Sequence, residues 1–182
     1  MKQQICLLCL AMVFFVSTVS AQWSYVGTPG FSNGTSFNTS LAFDGTTPYV
    51  ACTDFGAGLA GKVVVKKFDG NSWINVGTAG FSAGGADYIS LVINNGTPYV
   101  AYQDIANNYK ATVMKFNGSI WVNVGQAGFS DGAVAFTSLT FDGATPYIAY
   151  KDNVYDSKAC VMTFDGTSWV SVGGPGFSAG DA

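Results

Sequence analysis

Histidine, arginine and glutamate are absent from this 182-residue chain: every basic residue is lysine and every acidic one aspartate. Each absence removes a class of chemistry. Without histidine there is no general base titrating near neutrality and no imidazole metal ligand. Without arginine there is no bidentate phosphate fork, and a net charge of −3 gives no basic patch, so nucleic acid is not an expected partner. Without glutamate, paired-carboxylate chemistry would rest on aspartate alone. No Asp-x-Asp-x-Asp calcium loop occurs either, and no cofactor or metal is expected. On this inventory the chain is expected not to be an enzyme.

Cysteine is scarce. Cys6 and Cys9 fall in an apolar run, Ile5–Val16, that follows Lys2 and precedes Val19-Ser20-Ala21, the pattern of a cleaved secretory leader over residues 1–21. The run is too short for a membrane span, and no second long apolar run follows. The product expected is therefore secreted, residues 22–182, with seven lysines against eleven aspartates. Its remaining cysteines, Cys52 and Cys160, fall on different strands of different repeats, so two buried free thiols are expected rather than a disulfide.

What the chain has in abundance is repetition. Trp-x-x-Val-Gly-x-x-Gly-Phe-Ser occurs at Trp23–Ser32, Trp73–Ser82, Trp121–Ser130 and Trp169–Ser178, with tryptophans 50, 48 and 48 residues apart. Between the copies lie a short apolar strand (Ser40–Phe43, Ser90–Ile93, Ser138–Phe141) and an Asp-Gly or Asn-Gly turn. A Pro-Tyr strand (Pro48–Asp54, Pro98–Asp104, Pro146–Asp152) and a Lys-to-Phe strand (Lys62–Phe68, Lys110–Phe116, Lys158–Phe164) follow. The Trp-led segments, Trp23–Gly27 included, read as a fourth strand. No helical period appears. The repeating units run over about 32–77, 82–125 and 130–173.

Four short strands per unit of about 48 residues predict an all-β fold of four-stranded antiparallel blades, a β-propeller. The blocks resemble propeller-repeat proteins, and their period and Trp/Gly-rich loops are similar to those of tachylectin-type lectin propellers. A β-trefoil is the alternative fold, against which the fourth Trp segment argues. Three blades and one extra outer strand do not close a ring, so missing C-terminal blades or self-oligomerisation is expected.

Asp54, Asp104 and Asp152 recur just before the loop that follows the second strand, beside Tyr102 and Tyr150. These five are the candidate ligand contacts, with carboxylates offered to sugar hydroxyls. The competing reading caps turns with the same aspartates. Lys62, Lys110 and Lys158 recur across that loop and read as weak surface ion pairs. Asn38, Tyr88 and Phe136 share one repeat position and read as loop variation. Four Asn-x-Ser/Thr sequences, at Asn33, Asn38, Asn95 and Asn117, match glycosylation acceptors. The resemblance implies extracellular binding, with carbohydrate or a surface ligand as partner. The alternatives are a structural array within a larger surface protein, or part of a sialidase-like hydrolase, whose arginine cluster is missing here.

Overall fold

Alternation of apolar and polar side chains, broken by glycine turns, produces twelve strands in three antiparallel sheets. The computed structural model describes residues 22–182; the leader expected over 1–21 lies outside them. The first sheet orders β1 (Ser36–Asp44), β2 (Thr47–Asp54), β3 (Lys62–Phe68) and β4 (Trp73–Asn75) side by side. The second repeats this with β5 (Ala86–Asn94), β6 (Thr97–Asp104), β7 (Lys110–Phe116) and β8 (Trp121–Asn123). The third has β9 (Val134–Asp142), β10 (Thr145–Asp152), β11 (Lys158–Phe164) and β12 (Trp169–Ser171). Each sheet is one up-and-down blade, the unit of a β-propeller. None of the described helices is long and apolar enough to cross a membrane.

Neighbouring blades meet through their first strands, β1 against β5 and β5 against β9, which makes these the inner strands of the fan. The contact is both apolar and polar. Tyr49, Ala51 and Val65 of the first blade bury Leu91, Val100 and Tyr102 of the second; Ala101, Val113 and Val124 of the second bury Leu139, Ile148 and Tyr150 of the third. The Ser40 hydroxyl accepts from Leu91 N–H, and that of Ser90 from Leu139 N–H, both at 3.0 Å.

The recurring Trp motif is the joint between blades. The indole N–H of Trp73, Trp121 and Trp169 donates to the carbonyl of Val26, Val76 and Val124 in the preceding motif, at 2.7–2.8 Å. Phe31, Phe81 and Phe129 stack on those same indoles at 4.6, 4.1 and 4.6 Å. The hydroxyls of Ser82 and Ser130 accept from Val63 and Ala111 N–H. At Gly77 the chain turns with φ of +72°, and an added Cβ would lie 2.8 Å from the Phe116 ring, so only glycine fits.

One strand expectation is corrected. Trp23–Gly27 forms no strand, and Trp23 is 99 % exposed. A Trp segment is drawn into a sheet by the edge of the third strand beside it, as β4 is by β3. The described chain supplies no such edge for Trp23. Cys52 and Cys160 are free and buried, and burial pushes both thiols above the ordinary cysteine range.

Candidate functional site

Asp54, Asp104 and Asp152 face inward, 0, 1 and 0 % exposed. Their oxygens are engaged by their own loops. Asp54 accepts from Gly56 N–H at 2.7 Å and Asn33 N–H at 2.8 Å. Asp104 accepts from Ala106 N–H, the Asn107 amide and the Thr112 hydroxyl at 3.1, 2.8 and 2.9 Å. Asp152 accepts from Val154 N–H at 2.9 Å and Gly132 N–H at 3.3 Å. The latter two cap single 3-10 turns, Ile105–Asn107 and Asn153–Tyr155. Tyr102 and Tyr150 are also inside the blades. Their hydroxyls lie on Met114 and Met162 sulfurs at 3.3 and 2.9 Å, and burial pushes both phenols well above the usual tyrosine range. Lys62, Lys110 and Lys158 stand opposite the three aspartates in register.

The position shared by Asn38, Tyr88 and Phe136 is a bulge in the inner strand, not loop variation. All three are left-handed, with φ of 51°, 49° and 54°, and the sheet register slips by a residue there. An aromatic residue with positive φ is uncommon and strained, and such strain is concentrated at functional places. The bulges re-aim these side chains along neighbouring inner strands. The Asn38 amide donates to the Asp87 carboxylate at 2.9 Å, and the Tyr88 and Phe136 rings lie 4.8 Å apart. The Thr137 hydroxyl donates to the Tyr88 carbonyl. The signal available in the sequence was Asn38, a residue that tolerates the left-handed region, at the head of the repeat position.

On the hairpin side of the disc each blade junction carries a cleft. Between the first and second blades, about 450 Å³ is lined by Tyr49, Lys67, Pro98, Tyr99, Lys115 and Asn117, among others. Between the second and third, about 360 Å³ is lined by Tyr99, Lys115, Thr145, Pro146, Phe164 and Asp165. Cross-strand register builds the recurring pair: Tyr49 opposite Lys67 and Tyr99 opposite Lys115, with Thr163 opposite Tyr147 in the third blade. Tyr99 and Lys115 line both clefts. An apolar wall of proline and phenylalanine beside an ammonium, hydroxyls and turn carbonyls suits a ligand with an apolar face and many hydroxyls. Among the described residues no cluster of three His, Cys, Asp or Glu side chains has metal-site geometry.

A tight β3–β4-type turn recurs in each blade, and those at Asn117 and Asp165 border the two clefts. Asp69 accepts from Asn71 and Ser72 N–H, and Asp165 from Thr167 and Ser168 N–H, all at 2.8 Å. These backbone donors hold both carboxyls below the usual aspartate value. A depressed folded pKa stabilises the turn above the ordinary value of about 3.9 and loses that contribution as pH falls through the folded pKa. Asn117 makes the same bonds to Ser119 and Ile120 without a titrating group. Acid titration by NMR should therefore loosen the Asp69 and Asp165 turns below about pH 4 while the Asn117 turn stays unchanged. Simultaneous loosening of all three would show that the carboxylates are not the cause.

No protein-family model matches this chain, and no curated protein sequence does. Solved structures do. The chain is similar to the Fusarium graminearum α-L-arabinofuranosidase Arb93A solved with an iminosugar inhibitor, with a TM-score of 0.54, 15 % identity, and coverage of 75 % of this chain and 48 % of that one. For the Bacteroides ovatus xyloglucan-locus protein GH43B the values are 0.52, 14 %, 79 % and 30 %. For the Hadza microbial sialidase Hz136 they are 0.51, 15 %, 79 % and 34 %. The fold is thus a β-propeller-like one shared with these proteins, and this chain spans between about a third and a half of their lengths.

These neighbours correct the expectation that the chain is not an enzyme: the propellers it matches are those of glycoside hydrolases. The composition argument does not hold as an exclusion, because glycoside hydrolysis runs on carboxylates and does not require histidine; aspartate can serve both roles.

Proposed function

We propose that this chain is part of a carbohydrate-active propeller that works outside the cell and holds glycans in the clefts between its blades. The carrying observation is the recurrence of one cleft, with the same Tyr–Lys pair and proline wall, at two successive blade junctions. Repeated, closely similar sites favour a repeating or multivalent ligand, since linked weak contacts add as avidity. The leader-like residues 1–21 support the extracellular placement, which the mass of the processed N-terminus of the secreted chain tests.

Binding of arabinan, xyloglucan and sialylated oligosaccharides, measured by calorimetry, tests the reading. Because Lys115 borders both clefts, Lys115→Ala should weaken retention at least about tenfold, the worth of one charge-assisted hydrogen bond. Unaltered binding in that variant would place the ligand elsewhere. Hydrolysis is the second reading, favoured by the neighbours. Its natural place is the inner-strand cluster of Asn38, Asp87, Tyr88 and Phe136. Turnover of a chromogenic glycoside that Asp87→Asn abolishes would carry it, and turnover indifferent to Asp87→Asn would remove that cluster from the reaction.

A further inference from the structure

The two blade junctions present the same wall but not the same charge. In the first cleft, between the first and second blades, the half-buried Lys67 and Lys115 line one space and no carboxylate lines it with them. In the second cleft, between the second and third blades, Lys115 is joined by Asp165. The third blade carries no further lysine there, because Thr163 takes the register position that Lys67 and Lys115 hold in the other two. The turn residue adds to the contrast. Asn117 borders the first cleft where Asp165 borders the second, and each holds its turn by accepting the same two backbone N–H bonds through one oxygen. What remains on Asn117 is an NH2 donor; what remains on Asp165 is a second carboxylate oxygen.

We propose that the first cleft seats an anionic sugar, its carboxylate or sulfate held by Lys67 and Lys115, and that the second cleft takes a neutral one. This rests on glycans entering these clefts at all. An anionic oxygen accepts charge-assisted hydrogen bonds from both ammoniums and has the Asn117 amide hydrogens within the same cleft. The same anion in the second cleft meets one ammonium and the Asp165 carboxylate, so attraction is offset by like-charge repulsion. Asp44 reaches the rim of the first cleft, 3.8 Å from where a Cβ on Gly96 would stand, but it lines the neighbouring hollow of the first blade. The rest of the acidic chain matters less. At physiological ionic strength, charges farther than about 8 Å are largely screened, so the groups lining each cleft decide its preference.

Calorimetry of the whole chain with oligogalacturonate, with the same oligomer methyl-esterified, and with a sulfated galactan oligomer tests the assignment. At least one anionic oligomer should bind about tenfold tighter than the ester, and the gain should shrink as salt rises. Which of the two gains identifies carboxylate or sulfate as the group recognised. Lys67→Gln alters a residue that lines the first cleft and not the second. Asn117→Asp keeps the turn's accepting oxygen, as Asp69 and Asp165 show, and brings in the missing negative charge. Each variant should bring the acid-to-ester affinity ratio close to one with unchanged circular dichroism. A ratio that survives both substitutions in one chain would seat the anion elsewhere and overturn the assignment. Equal binding of acid and ester, or binding of neutral arabinan or xyloglucan alone, would overturn anion selection and leave glycan capture standing. No binding of any of these glycans would remove both.

Discussion

Replacing Trp121 with alanine should cost about 3–5 kcal/mol of folding stability, whereas Trp23→Ala should change it by no more than about 0.5 kcal/mol. Both tryptophans open the same ten-residue motif, so sequence alone gives no ground for separating them. Trp121 is buried between the first and second blades, with Phe81 stacked parallel at 4.1 Å and Phe116 tilted at 5.7 Å. Its N–H holds the Val76 carbonyl at 2.8 Å. Truncation removes a large apolar surface, opens a cavity and leaves that carbonyl without its donor. Trp23 is bathed in solvent. Urea unfolding followed by circular dichroism would register the contrast as a shift in midpoint for Trp121→Ala alone. Equal shifts would mean that Trp23 is packed in solution as firmly as Trp121.

The parts of the fold that were legible are those fixed by neighbours in sequence. Lys62–Phe68, Lys110–Phe116 and Lys158–Phe164 run from the residue after a loop to the residue before a turn, and both ends match the structure. The inner strands begin earlier than expected, at Ser36, Ala86 and Val134, because the left-handed bulge at Asn38, Tyr88 and Phe136 interrupts the alternation that marks a strand. The outer strands stop earlier, at Asn75, Asn123 and Ser171, because Gly77 and its counterparts already turn with positive φ. Trp23–Gly27 departs from its motif because pairing depends on an adjacent edge, which no local pattern reports.

The cleft was less legible than the strands for the same reason. Tyr99 and Lys115 are sixteen residues apart and become a pair only through the β6–β7 register, and their cleft is completed by Pro146 and Asp165 of the following blade. A repeat pattern says which residues recur; it does not say which of them meet across a junction. The aspartates show the converse case. Their place beside a loop could be read directly, but a carboxylate at a strand end can turn outward to a ligand or inward to its own loop. The choice rests on how many donors that loop offers.

Asp104 has the fullest set of donors, and Asp104→Ala should therefore destabilise the protein by about 2–4 kcal/mol, the cost of leaving one buried and two partly buried donors without their acceptor. Ala106 N–H, the Asn107 amide and the Thr112 hydroxyl all lose their acceptor. The effect should spread across the blade junction, since the Thr112 hydroxyl also accepts from Gly128 N–H at 2.9 Å in the loop leading to the third blade. Hydrogen exchange should quicken at Ala106 and Gly128 together, while the distant Asn71–Ser72 turn keeps its protection. Asp104→Asn retains one oxygen for Ala106 and should lose less. If Asp104→Ala instead left the unfolding midpoint unchanged and weakened glycan retention, the carboxylate would belong to the ligand and not to the loop. A loss of stability with retention unchanged in the folded fraction would fix Asp104 as the residue that sets the loop, leaving recognition to the Tyr–Lys clefts on the opposite side of the disc.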